Sequence, residues 1–217
     1  MAVLEVFADV ACPFTHVGLR RFVAARAERG LGEIRLRVRA WPLEVVNGVP
    51  LARELVAHEV ADIHAQVAPD LFGGFDPGVF PATSIPAFGL AAAAYDRDLA
   101  TGEAVSLALR DALFEEGRDV TDPAVLGELG RRHGIDPLPP DEARERVRAD
   151  HREGVERGVI GSPFFFVGRQ GRFCPTLRIS KEGDHYRVEW DRDAFEDLFA
   201  ELRRIVGREG ADLPSGP

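Results

Sequence analysis

The sequence predicts an α/β fold in which one mixed sheet is interrupted by a helical insert. Three observations predict it. A strand-turn-helix-strand pattern fills the first forty residues, helical periodicity alone occupies 51–157, and strand signals return after Gly158.

Residues 2–8 (AVLEVFA) are continuously apolar enough for a buried strand, and the turn Asp9-Val10-Ala11-Cys12 leads into a helix that starts at Pro13 and stops by Gly30. Residues 33–40 (EIRLRVRA) place Ile34, Leu36 and Val38 on one face and arginines on the other, a half-exposed strand. The insert reads as five helices, over 51–67, 84–98, 103–116, 123–133 and 140–157. Gly73, Gly74, Pro77, Gly78 and Pro81 separate the first two, Asp122-Pro123 caps the fourth, and Gly134 with Pro137, Pro139 and Pro140 precedes the fifth. Beyond Gly158, Phe164–Val167 and 172–180 read as a hairpin around a four-residue turn at 168–171. A short strand follows at 186–190, then a helix from the cap Asp191 to about Val206. The expected organisation is a discontinuous sheet domain of 1–50 and 158–208, a helical domain of 51–157 and a flexible tail of 209–217.

With 27 basic and 36 acidic residues among 217, the formal charge is -9, which argues against nucleic acid or an anionic membrane as partner. The opening MAVLEVFADV has no basic start or apolar core of a secretory leader, and no apolar run reaches the roughly 20 residues of a spanning helix. The cytoplasm is the expected location, and a homodimer is left open.

Only two cysteines are present, Cys12 and Cys174, too few for a disulfide scaffold. Cys12 falls at a helix N-terminus, where unpaired N–H groups favour an anion and a thiol pKa can drop from about 8.5 to roughly 3.5–7.5. His16, four residues on, is expected on the same face, where its charge would tune the thiolate. Equally open is a Cys12 that is merely a small buried apolar residue. In the second notable segment, GVIGSPFFFV at 158–167, Pro163 opens an apolar strand directly after small residues, which raises the expectation of a cis Ser162-Pro163 bond. Phe14, Trp41, Phe75 and Phe80 are candidates to line an apolar cleft. His58, Asp62 and His64 lack the HExxH spacing of a zinc helix and read as a solvated face.

Together, DVACPFTHVG (9–18) and GVIGSPFFFV (158–167) around an all-helical insert resemble the DsbA-like branch of the thioredoxin superfamily, more closely the FrnE-like and 2-hydroxychromene-2-carboxylate isomerase subgroup. The resemblance runs over about 3–175. It implies a thioredoxin-like mixed sheet with an inserted all-helical domain, and Cys12 as the nucleophile of a Cys-Pro-x-x motif. It also implies Pro163 as the cis-proline opposite that cysteine, with Pro13, Phe14 and the Ser162 backbone shaping a groove for a peptide or glutathione. Thr15 stands where a dithiol member has its second cysteine and is expected to donate a hydrogen bond to the Cys12 thiolate. The implied activity is thiol-disulfide exchange through a single-cysteine mixed disulfide, with no bound cofactor or metal, glutathione as a possible cosubstrate, and a small thiol, disulfide or protein thiol as substrate. Two alternatives accompany it. One is a glutathione-dependent isomerase or kappa-type transferase, although those relatives carry serine at the Cys12 position. The other is a non-catalytic binding or redox-sensing protein. Cys174, expected opposite Phe165 in the hairpin and so about 7 Å along the strand from Pro163, is a candidate resolving thiol or a buried strand residue.

Overall fold

The computed structural model describes residues 2–183 and 185–211, with side chains through residue 207. Four strands form the main sheet in the order β2-β1-β3-β4. β1 (Ala2–Ala8) is central, parallel to β2 (Ile34–Ala40) and antiparallel to β3 (Phe164–Val167), which pairs antiparallel with β4 (Gln170–Phe173). A strand flanked on both sides and covered on both faces is largely apolar: Leu4, Val6, Phe7 and Ala8 are fully buried, and its one charged residue, the half-buried Glu5, is paired with Arg39 and Arg157. On β2 the predicted alternation holds: Ile34 and Leu36 are buried, while Arg39 reaches out to Glu5, Asp150 and Glu153.

One face of the sheet is covered by α1 (Pro13–Glu28) and the closing helix, through Leu19, Phe22, Leu198, Phe199 and Leu202. The other buries Phe7, Trp41, Phe164 and Phe166. Here the helix that ends the insert approaches so closely that a Cβ at Gly154 would lie 2.5 Å from the Trp41 ring.

Between β2 and β3 run six helices: α2 (Leu43–Asn47), α3 (Arg53–Gln66), α4 (Ile85–Arg97), α5 (Leu99–Phe114), α6 (Pro123–His133) and α7 (Pro140–Glu156), with a 3-10 turn at Pro77–Val79. The five longer helices fall within a few residues of their expected positions. α2 was not expected, being too short to show a period. Its capping Gly48 adopts φ 72°. The core of this helical block is continuous with Val10, Cys12, Phe14 and Val17, so the first turn of α1 lies where the block meets the sheet.

Three expectations about the C-terminal third are corrected. The hairpin turn is two residues, Gly168-Arg169, with Gly168 at φ 60°, in place of the four-residue turn. The pairing therefore shifts by two, Phe165 faces Arg172, and Cys174 falls beside Pro163. Next, 172–180 is not one strand. Cys174 takes a positive φ of 39° and Pro175 has no N–H to give, so β4 ends at Phe173 and the chain restarts as β5 (Leu177–Glu182). β5 pairs only with β6 (His185–Trp190), a second sheet fastened to α3 where Gln66 and Asp62 bond the β6 backbone. Finally, α8 (Arg192–Ala211), capped by Asp191, passes the expected end at Val206 and includes 209–211 of the expected tail. Residues 212–217 lie outside the described residues.

Candidate active site

Cys12 is the N-cap of α1, with extended φ and ψ of -86° and 115° and Pro13 in the first helical position. The Ser162-Pro163 peptide bond is cis. It faces Cys12 directly, the thiol donating to the Ser162 carbonyl oxygen at 3.4 Å. The Ser162 hydroxyl is fixed from two sides, accepting from the Asp9 N–H at 2.9 Å and sharing a hydrogen bond with the Thr15 hydroxyl at 2.9 Å. The helix turn and the cis-proline loop are thereby pinned to each other.

Below them lies a polar cluster that sequence reasoning missed. The Asp9 carboxylate accepts from Ala11 N–H, Leu43 N–H and the Ser84 hydroxyl, at 2.9, 2.6 and 2.5 Å. The fully buried Arg110 donates to the Asp9 carbonyl and to Ser106. Burial raises the Asp9 carboxyl above its ordinary range against those hydrogen bonds, and lowers the Arg110 guanidinium to about 10 against the attraction of Asp9. Asp9 carried a usable signal, an acidic residue between an apolar strand and a helix start. Arg110, Ser84 and Ser106 carried none, because only the fold brings the insert under this turn.

The electrostatics of Cys12 differ from expectation. Only 3% of the residue is exposed, and burial pushes the thiol above its ordinary value. The hydroxyl and backbone N–H of Thr15 and the side chain of Ser162 oppose the rise, while the Glu59 carboxyl adds to it. The expected depressed pKa is corrected, since desolvation outweighs the hydrogen bonds at the helix end.

The expected role of His16 is corrected as well. Its imidazole is turned into the helical block, between the Phe72 and Phe114 rings, with Nε2 2.6 Å from Glu115 Oε1. It bonds Glu115 and not the thiol, and burial lowers its pKa. Thr15 stands beside the sulfur, its hydroxyl shared between the Ser162 hydroxyl at 2.9 Å and a hydrogen bond to Cys12 that works against the rise of the thiol pKa.

A cleft of about 320 Å³ opens at Cys12, lined by Pro13, Phe14, Leu43, Ser162 and Phe173 among others. Of the four aromatic candidates only Phe14 lines it. Trp41 stacks on His151, and Phe75 packs against Phe80 and Phe114. Cys174 is behind the cis-proline, its N–H donating to the Pro163 carbonyl at 2.9 Å. Both cysteines are free thiols. Burial and the nearby Cys12 sulfur push the Cys174 thiol up to about 12. Among the described residues no group of three His, Cys, Asp or Glu side chains is placed to hold a metal, and no helix is long and apolar enough to cross a membrane.

Solved structures share this fold. The cytosolic disulfide reductase DsbM from Pseudomonas aeruginosa superimposes with a TM-score of 0.62 at 19% identity, over 93% of this chain and 98% of that one. A 2-hydroxychromene-2-carboxylate isomerase superimposes with a TM-score of 0.57 at 16% identity, over 98% and 100%. At these identities the likeness is one of fold. No curated protein matches the sequence. The DSBA-like thioredoxin domain matches residues 3–185, nearly the whole chain, and with a Cys-Pro helix start facing a proline-led strand in a thioredoxin-like sheet, the protein belongs to that family.

Proposed function

We propose that the protein is a thiol-disulfide oxidoreductase that uses Cys12 as its attacking thiol and works in the reducing direction. The observation that carries this reading is the Cys12 sulfur 3.4 Å from the Ser162 carbonyl at the mouth of an apolar cleft, with no second cysteine in its motif.

The Cys12 thiolate attacks one sulfur of a bound disulfide. A new S–S bond forms to Cys12, the substrate S–S bond breaks, and the departing sulfur takes the electron pair and a proton. Developing charge on Cys12 is met by the N-terminus of α1 and the Thr15 N–H. The Ser162 backbone offers an edge along which substrate pairs as an added strand, with Pro13 and Phe14 flanking it. A second thiol then attacks the mixed disulfide and regenerates Cys12. Glutathione is one candidate for that external thiol, in which case two glutathiones become one glutathione disulfide per substrate reduced. Cys174 is the internal candidate: with Cys12 tied in a mixed disulfide its charge no longer opposes the Cys174 thiolate. Attack of that thiolate on the Cys12 sulfur releases the substrate thiol and leaves a Cys12–Cys174 disulfide that two external thiols then reduce, regenerating Cys12. The raised Cys12 pKa supports the direction. A low-pKa cysteine is a good leaving group and suits an oxidant, whereas a higher one holds its mixed disulfide longer and gives a more nucleophilic thiolate, at the cost of a smaller thiolate fraction at neutral pH. Two free thiols also fit a reducing compartment such as the cytoplasm.

The test is disulfide reduction with excess glutathione or, in parallel, the uncharged thiol 2-mercaptoethanol as electron source, comparing wild type, Cys12→Ser and Cys174→Ser. Loss of turnover in Cys12→Ser alone supports an external resolving thiol, and loss in both supports Cys174. Equal background rates in all three overturn the reading in favour of a binding or sensing protein, and isomerisation of a small aromatic substrate without disulfide exchange overturns it in favour of an isomerase.

A further inference from the structure

The cleft at Cys12 is apolar on every side but one. Phe14, Leu43, Leu51, Phe173 and Ile179 supply its walls, and among the described lining residues the one charged side chain is Glu59 of α3. No arginine, lysine or histidine is among them. Of the lining residues Phe173 is 48% exposed, and Ile160, the chain neighbour of the lining residue Gly161, is 75% exposed.

Glu59 lies close enough to Cys12 for its charge to oppose formation of the thiolate. The groups facing it come from three elements: the Tyr186 hydroxyl of β6, the Lys181 ammonium of β5 and Cys12 at the start of α1. Lys181 is held on the Tyr186 ring, 5.9 Å from its centroid, and that ring in turn packs edge-on to Phe14. The 3-10 turn Pro77–Val79, also against α3, has no titratable side chain, and Asp62 on the next turn is taken up by His185 and the Tyr186 N–H. Burial raises the Glu59 carboxyl to about 7 despite Tyr186 and Lys181, so it is about half ionised at neutral pH. A carboxylate so placed is incompletely compensated, and a cation entering the cleft would complete it. A substrate carboxylate would find no cationic side chain on the cleft wall, Lys181 being turned to Tyr186 and Glu59, and a like charge beside the reacting sulfur.

We propose that Glu59 is the specificity-determining residue of this cleft, selecting small disulfides that carry an ammonium group near the sulfur on an otherwise apolar frame, in preference to anionic ones such as glutathione disulfide. The inference rests on the reading of Cys12 as the attacking thiol.

Its test uses three disulfides of matched length, cystamine (cationic), bis(2-hydroxyethyl) disulfide (neutral) and 3,3′-dithiodipropionate (anionic), with glutathione disulfide as a fourth. The rate of Cys12 adduct formation is followed by intact mass in the full chain, for wild type and Glu59→Gln, each rate divided by that of the neutral disulfide and by the same ratio for free N-acetylcysteine. The expected result is a cystamine-over-dithiodipropionate preference of about tenfold in wild type that largely disappears in Glu59→Gln. In wild type alone the preference grows between pH 6 and pH 8, as Glu59 ionises. The same preference in both proteins, a preference independent of pH, or glutathione disulfide outrunning cystamine would overturn the assignment while leaving Cys12 chemistry intact. Absence of a Cys12 adduct with all four disulfides would overturn the reading beneath it.

Discussion

The two thiols flank the same cis-proline segment and are buried to the same 3%, yet their surroundings give them opposite capacities. Cys12 stands at the open end of a helix, with its sulfur on a cleft, a hydroxyl and an N–H beside it, and a carbonyl ahead of it. Cys174 sits behind Pro163 in a positive-φ corner, its backbone used as the last rung of the β3-β4 ladder and its thiol pushed up to about 12. Fractional burial therefore says little about a cysteine's chemistry. What the sulfur faces, and whether anything nearby can receive its charge, decides it.

The sharpest way to break this comparison is to delete each sulfur. Cys12→Ser is expected to lower the rate of mixed-disulfide formation by more than about a thousandfold, serine being a far weaker nucleophile at neutral pH. Cys174→Ser is expected to leave that first step within about threefold, because its sulfur does not line the cleft. Intact-mass kinetics with a neutral disulfide check both, and equal losses would mean that the two thiols act as one unit.

Sequence carried much of this contrast, but unevenly. The long helices were legible because Pro123, Pro140, Gly134 and their apolar periods mark ends and faces, and Cys12 with Pro163 was legible because each stands at a strand-helix or loop-strand junction with its own composition. Cys174 was misplaced because residue type does not announce a positive φ at a non-glycine, and because GRQG at 168–171 reads equally as a four-residue or a two-residue turn. His16 was misassigned because helix spacing gives a neighbour but not a competitor, and Glu115, far along the chain, offers the closer partner. Glu59 and Arg110 sit on amphipathic helices indistinguishable in sequence from solvated ones, and only tertiary packing carries them to the site.

A smaller effect sharpens the account of Cys12 itself. Thr15→Val removes the hydroxyl that bonds Ser162 and opposes the rise of the Cys12 pKa, so the thiol should titrate higher still. The expected outcome is alkylation of Cys12 slowed about fivefold at pH 8, with a stability loss of about 1 kcal/mol, read by rate measurement and denaturant unfolding. Unchanged alkylation would show that the hydroxyl serves only the Ser162 contact. The smallest effect has the opposite sign. The Glu59 anion raises the Cys12 pKa, so Glu59→Gln lowers it, leaves more thiolate and should speed alkylation about two- to threefold at pH 8, with no change at pH 5, where Glu59 is already neutral.

The most direct measurement is the pH dependence of iodoacetamide alkylation in the native protein, with peptide mass mapping to separate the two cysteines. Labelling is expected at Cys12, rising through a midpoint above the 8.5 of an ordinary thiol, and at Cys174 only on unfolding, since a pKa of about 12 leaves about one molecule in ten thousand ionised at pH 8. Labelling of Cys174 as fast as Cys12, or a Cys12 that stays unreactive until the protein unfolds, would contradict it.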